Sequence, residues 1–470
     1  MPELLIRGGT VVDALGERRA DVLVEDARVV AVDERLEAGR AALVLDAGGA
    51  YVLPGLVDLH AHLREPGGED AETVESGSRA AALGGYTAVV AMPNTEPPVD
   101  SAAVARDVLA LGRDALVEVA VAGAITRGRL GETLAPMAEL AAVGVRLFTD
   151  DGRGVADAGL LRRALEYARD LGVVVAEHCE DPSLAAGGVV HEGEWSSRLG
   201  LPGQPSLAEE AMLARDLALV RLVGTRFHAL HLSTAGSVAL VAAAKADGLP
   251  VTAEVTPHHL VFCDEAVAGF DPVFRVSPPL RPRADVAALR RALSVGVVDA
   301  VATDHAPHPP ERKDLAFDEA APGMLGLETA LAVAFTFCAA DGDHPARRSP
   351  RADAVRAGTS SGRSEPPGVV TPGGAEERLR PAELFARLSW LPARVAGLDR
   401  AAGGEQGGPL EPGAPANLCV FDPSASIVVD PSRLASRSRN TPFAGLRLRG
   451  RVRHTVFRGD PVVLDGEAQR

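Results

Sequence analysis

No run in the sequence approaches the roughly 20 consecutive apolar residues that a helix needs to cross a bilayer. The N-terminus lacks the basic stretch and long apolar core of a secretion signal. Cysteine is scarce: Cys179, Cys263, Cys338 and Cys419 are scattered, with neither zinc-finger spacing nor the density of a disulfide scaffold. They read as buried or idle thiols in a reducing compartment, and these absences together point to a soluble, cytoplasmic protein. An excess of positive charge is missing too. With 48 Lys and Arg against 64 Asp and Glu, the formal net charge is −16, which argues against a nucleic-acid partner and for a small ligand.

What is present is enough chain, 470 residues, for one large domain with a smaller one appended. Residues 1–52 alternate short strand-like segments (3–6, 21–24, 29–32, 42–45) with glycine-containing turns, the pattern of a small β unit. From residue 53 apolar strands alternate with Ala/Leu/Arg/Glu-rich helical stretches. Eight strands are expected, at 57–63, 86–92, 117–124, 145–149, 173–177, 227–232, 250–255 and 299–303. Helical patterns such as 71–83, 101–111, 159–171, 206–220 and 237–246 separate them. Eight β-α repeats predict an α/β fold, a (β/α)8 TIM-like barrel over 53–400, whose active site forms at the C-terminal ends of its strands.

After a helix at 325–340, residues 341–377 are rich in Pro, Gly, Ser and Arg and are expected to be a disordered surface insertion; the rival reading is an arginine site for an anionic partner. Short strands return in 401–470 (416–421, 426–429, 446–449, 452–457). They most simply pair with the N-terminal ones into a single β subdomain.

The chemistry starts at residues 54–67, PGLVDLHAHLREPG. The two-residue period of a strand puts His60 and His62 on one face, where two imidazoles can share a divalent ion. Alone, an H-x-H pair is weak evidence. Four later strands, however, also end in potential ligands: the fourth in Asp150-Asp151, the fifth in His178, the sixth in His231, the eighth in Asp304 with His305 and His308. Imidazole and carboxylate at the same rim of one barrel suit zinc and its neighbours, and a carboxylate can bridge two ions.

These segments, with others, resemble the bacterial class of dihydroorotases in the amidohydrolase superfamily. The matching motifs are HAHLREPGG (60–68), MPNT (92–95), TDDG (149–152), HCED (178–181), HLST (231–234), TPHHL (256–260), PPLR (278–281), ATDHAPH (302–308) and NTPFAG (440–445). The resemblance implies that His60, His62 and Asp304 hold one metal and His178 and His231 a second, with Asp151 bridging and Asp150 its competitor. Dihydropyrimidinase-type relatives bridge with a carboxylated lysine instead. Only two lysines exist here, Lys245 in a helical pattern and Lys313 in a loop, and neither ends a barrel strand. A carboxylate must therefore take that place.

Two Zn2+ ions sharing a hydroxide would provide the nucleophile and the polarised carbonyl needed to open a cyclic amide. Asp304 is expected to carry the proton to or from the ring nitrogen. A planar guanidinium at Arg64 is placed to hold a substrate carboxylate, with Asn94 as a further donor. The family pattern adds His62, Leu63, Ser277, His308, Pro322 and Gly323 as substrate contacts. Ser277 departs from it, standing where relatives carry Asn, so that a direct contact becomes a water bridge. His258, His259 and His305 are expected to support the ligands from behind or to serve the fold. Residues 309–321 are placed to close over substrate.

The implied activity is the reversible cyclisation of N-carbamoyl-L-aspartate to dihydroorotate in pyrimidine synthesis. The implied assembly is a homodimer that associates with aspartate carbamoyltransferase. Two rivals remain: an allantoinase or dihydropyrimidinase-type hydrolase, which relative rates on the three substrates separate, and a non-catalytic scaffold for the carbamoyltransferase, which metal content separates.

Overall fold

A computed structural model describes residues 3–37, 39, 42–340 and 367–470. Five strands open the chain: β1 (Leu4–Asp13), β2 (Gly16–Glu25), β3 (Arg28–Asp33), β4 (Leu43–Asp46) and β5 (Tyr51–Pro54). β1 pairs antiparallel with β2 and parallel with both β4 and β5. The boundary expected after residue 52 falls inside β5, which passes through Gly55 straight into β6 (Leu56–Ala61). No side chain fits at Gly55, because a Cβ there would lie 2.0 Å from the Thr87 hydroxyl oxygen. The terminal sheet and the first barrel strand are thus one continuous piece of chain.

The barrel strands are β6, β7 (Tyr86–Ala91), β8 (Glu118–Val121), β9 (Leu147–Phe148), β10 (Val174–Glu177) and, after a small parallel ribbon of β11 (Val190–His191) and β12 (Gly203–Gln204), β13 (Phe227–Ala229), β14 (Val251–Val255) and β15 (Ala300–Val301). Each falls within or just beside a stretch where an apolar run predicted it. The pairings are parallel throughout, in two sheets, β6-β7-β8 and β9-β10-β13-β14-β15. Bridges between Gly123 and Phe148 and between Ala61 and His305 close the two into a cylinder.

The outer helices follow from local chemistry. In Ala158–Leu171 the Asp157 carboxylate accepts the Leu160 N–H at 2.6 Å, a cap contributing about 1 kcal/mol. Gly172, at φ 69°, ends the helix in a left-handed turn. Leu160, Leu161, Ala164, Leu165 and Ala168 share one face and are buried, at roughly 1.5–3 kcal/mol for each leucine. Inside the cylinder, Leu59, Val90, Ala122, Leu147, Ala176, Leu230 and Ala300 cluster with Val395 and Ala396 of the helix Trp390–Ala396. Ala176 shares its strand face with His178, and Ala300 with Asp304, so these two alanines lie below those candidate ligands.

The chain returns to the terminal sheet with β16 (Leu418–Val428), β17 (Arg447–Phe457), β18 (Asp460–Leu464) and β19 (Glu467–Ala468), giving the order β19-β18-β17-β16-β5-β1-β2-β3. Four short C-terminal strands were expected where β16 and β17 each run through. Pro423 and Gly450 read as breaks but are absorbed, with register slips between Asp422 and Ser426 and φ 86° at Gly450. Between these strands, residues 434–443 pass over the rim of the barrel.

Of the segment 341–377 expected to be disordered, residues 341–366 lie outside the described residues. Residues 367–377 depart from that expectation. The Gly368 carbonyl accepts the Cys263 N–H, the Val370 N–H donates to the Val261 carbonyl, and buried Glu377 pairs with buried Arg290 at 3.4 Å. Two adjacent valines and one neutralised charge anchor a stretch whose average composition hides them.

Candidate metal centre

Four imidazoles surround the carboxylate of Asp151. Its Oδ1 lies 3.3 Å from His60 Nε2, 3.5 Å from His231 Nε2 and 3.6 Å from His178 Nδ1, and its Oδ2 lies 3.5 Å from His62 Nε2. Two groups of candidate ligand atoms, one from His60, His62 and Asp151 and one from Asp151, His178 and His231, each lie within 4.8 Å of one another. Asp304 Oδ1 completes the ring, 3.0 Å from His62 Nε2 and 3.5 Å from His60 Nε2. All six side chains are buried. Within this cluster His60 Nε2 and Asp151 Oδ1 have no hydrogen-bond partner. Buried polar atoms are rarely left so, and a cation between them satisfies both.

Local turns aim these groups. In Thr149-Asp150-Asp151 the threonine hydroxyl accepts the Asp151 N–H at 3.0 Å, and in Thr303-Asp304-His305 it accepts the His305 N–H at 3.0 Å. Asp150 turns the other way, accepting the N–H groups of Ile125 at 2.8 Å and Thr126 at 3.0 Å. Of the two aspartates, then, Asp151 faces the imidazoles. Three rim residues hold left-handed backbone, Arg64 at φ 61°, His231 at 27° and Asp304 at 45°, a conformation costing a non-glycine residue about 1 kcal/mol or more.

The outer ring nitrogens are held as well. His60 Nδ1 meets Glu254 Oε1 at 2.9 Å, and the other oxygen of Glu254 meets His228 Nε2 at 3.0 Å. His62 Nδ1 meets Asn94 Oδ1 at 2.9 Å. Held this way, each ring could keep its proton on Nδ1 when a cation is bound and turn the lone pair of the inward Nε2 to it.

The electrostatics agree. Burial opposes a charge on His60, yet the carboxylates of Asp151, Glu254 and Asp304 outweigh it and push its pKa well up. Against the same burial, Asp151 and Glu180 push His178 up to about 10. Burial would raise Asp304 too, but the hydrogen bond from His62 and the charges of the neighbouring imidazoles bring it below the usual carboxylate range. The cluster attracts positive charge, as a divalent cation site requires.

Neither lysine reaches the centre. Lys245 pairs with Asp299 at 2.6 Å, and the Lys313 ammonium donates to the carbonyls of Ala321, Gly323 and Arg275 at 2.8, 3.1 and 3.4 Å. With buried Phe317, Lys313 anchors residues 309–321 onto the barrel in this conformation.

The expected substrate contacts divide. Arg64 lies at the rim, its Nε donating to the Pro307 carbonyl at 3.2 Å and one terminal nitrogen 3.5 Å from His308 Nε2. Among the described residues no carboxylate pairs with it, although burial already lowers its pKa to about 10. The guanidinium is half-buried and, among the described residues, has no carboxylate in contact to neutralise it. His308 Nε2 meets the Pro322 carbonyl at 2.8 Å beside Gly323. Ser277 donates to Glu180 Oε2 at 3.1 Å. Leu63 packs its side chain against Gly77.

His259 is engaged by Thr256 at 2.8 Å and the Pro278 carbonyl at 3.1 Å, and His305 by Glu72 at 3.1 Å. His258 Nε2 is buried without a partner, and burial brings its pKa down to about 4.

Sequence reasoning missed Glu254, His228 and Glu180. A glutamate inside the apolar strand 250–255 was the one available signal, since a buried carboxylate demands a partner.

Residues 49–237 match the family described as Dihydro-orotase-like. Dihydroorotase from Pelotomaculum thermopropionicum is 45% identical over 465 residues, 98% of this chain and 99% of that protein. Dihydroorotase from Streptomyces coelicolor is 46% identical over 470 residues, 99% of this chain and 100% of its own. The L-hydantoinase (dihydropyrimidinase) structure from Arthrobacter aurescens superimposes with a TM-score of 0.81 at 24% identity, covering 100% of this chain and 98% of that one, a likeness of fold.

Proposed function

The chain belongs to the dihydroorotase family, and from that premise we propose that it interconverts N-carbamoyl-L-aspartate and (S)-dihydroorotate plus water in de novo pyrimidine synthesis. It is a metal-dependent cyclic amidohydrolase. In the proposal His60, His62 and Asp304 would hold one zinc ion and His178 and His231 a second, and Asp151 would serve both. Such ions supply a Lewis acid at the reacting carbonyl and lower the pKa of water from ~15.7 towards ~7.

The side chains do the rest. Asp304, 3.0 Å from His62 Nε2, passes a proton to the departing ring nitrogen in hydrolysis and takes it from the attacking carbamoyl nitrogen in synthesis. Arg64 grips the substrate carboxylate outside the reacting bond with two parallel hydrogen bonds, and Asn94, His308 and the Pro322-Gly323 backbone meet the remaining polar edge. A homodimer and association with aspartate carbamoyltransferase belong to the same proposal, and sedimentation and co-purification test them.

The observation that carries this reading is the pair of buried, unpartnered ligand atoms, His60 Nε2 and Asp151 Oδ1, 3.3 Å apart. Rates on dihydroorotate, dihydrouracil and allantoin, measured with metal analysis on the purified protein and on Asp304→Asn, test it. Dihydroorotate turnover, lost in the variant with its metal retained, is expected. A folded, metal-free, inactive protein would indicate a scaffold, and an active variant would remove Asp304 from proton transfer.

A further inference from the structure

The NTPFAG segment has no part in the chemistry above, yet its first residue is among the most connected on the rim. We propose that Asn440 is the positioning residue for the substrate-recognising side of the site, acting through the single peptide group that joins Pro307 to His308. Asn440 is buried on the crossing segment 434–443 and lies 132 positions from His308 in sequence. Its Oδ1 accepts the His308 N–H at 3.2 Å, while the carbonyl of that same peptide, on Pro307, accepts Arg64 Nε at 3.2 Å. One amide therefore stands between Asn440 and the guanidinium, and hydrogen bonds at its two ends polarise and strengthen each other.

The other end of the side chain is equally committed. Asn440 Nδ2 donates to the carbonyls of Ala306 at 3.0 Å and Gly323 at 3.1 Å, and the Asn440 carbonyl accepts the Leu325 N–H at 3.1 Å. Two carbonyls facing one end and an N–H facing the other leave the amide only one orientation. Asn440 thus fixes the loop after β15 and the Gly323 backbone relative to each other, and none of its partners belongs to the metal cluster. Its effect is expected on substrate binding and not on metal retention.

The inference rests on the proposed function, in which His308 and Arg64 meet the substrate. Asn440→Asp tests it, because the shape is kept while a carboxylate oxygen is set against two carbonyls. In the metal-loaded enzyme KM for dihydroorotate should rise by about tenfold or more, with kcat within about threefold and metal content unchanged. His308→Ala should raise KM by itself, and Asn440→Asp added to it should raise KM by less than it does alone, the remainder being the share carried through the intact peptide to Arg64.

An unchanged KM in Asn440→Asp, equal effects with and without His308, or metal loss in place of a KM change would each overturn the inference. If His308→Ala leaves KM unchanged, the reading of the rim fails; if it raises KM while Asn440→Asp does not, only the role of Asn440 fails. Should the aspartate variant not fold, Asn440→Ser, which is smaller and neutral, carries the same comparisons.

Discussion

The carboxylate of Glu254 lies 2.9 Å from Nδ1 of His60, on the ring edge facing away from Asp151. It holds His228 with its other oxygen and so fixes the ring that presents Nε2 to the centre. Glu254→Ala should weaken metal binding by about 10- to 100-fold, read as metal remaining after dialysis against graded chelator. Retention equal to the parent protein would show that His60 needs no such support.

Arg64→Lys keeps the charge and loses the flat fork. KM for dihydroorotate should rise by about 10- to 100-fold, or roughly 1.4–2.7 kcal/mol of binding, with metal content unaltered. A lysine enzyme with parental KM would mean that the carboxylate is held elsewhere.

At Gly323 the backbone stands at φ 140°, and an added Cβ would meet Ala306 Cβ at 2.7 Å and His308 Nε2 at 2.9 Å. Gly323→Ala should therefore cost about 1–3 kcal/mol in chemical denaturation and raise KM by displacing His308. A variant of parental stability would place the loop elsewhere.

Burial raises the pKa of Glu328 from 4.5 to about 7, against the lowering pull of the Ala435 and Ser436 N–H groups it accepts. Between pH 4.5 and 7 the folded protein keeps a proton that the unfolded chain has released. The contribution of this group to stability therefore falls as pH rises through that window, by at most about 3 kcal/mol. Glu328→Gln should match the parent at pH 4 and be the more stable at pH 8, as measured by urea unfolding. An equal difference at both pH values would exclude the titration.

The barrel was legible in the sequence because its strands are apolar runs alternating with helical patterns, as Val174–Glu177 follows the helix Ala158–Leu171. His60 and His62 were legible from the two-residue period alone. Which aspartate turns inward was not, since Asp150 and Asp151 follow the same strand and only the bonds to Thr149, Ile125 and Thr126 separate them. Nor was Glu254 legible as a partner of His60, 194 positions away, because spacing within an element says nothing of contacts across the fold. The anchoring of residues 367–377 was hidden for a similar reason: Glu377 finds its partner in Arg290, on another element.

The crossing segment 434–443 has a consequence for biosynthesis. His60 and His62 leave the ribosome joined through Gly55 to a strand whose neighbour β16 does not yet exist. Asn440 emerges after every barrel strand has been made. A nascent chain can therefore close its cylinder before the recognition side of the mouth is in place, and nascent enzyme should gain affinity for substrate only after Asn440 has emerged.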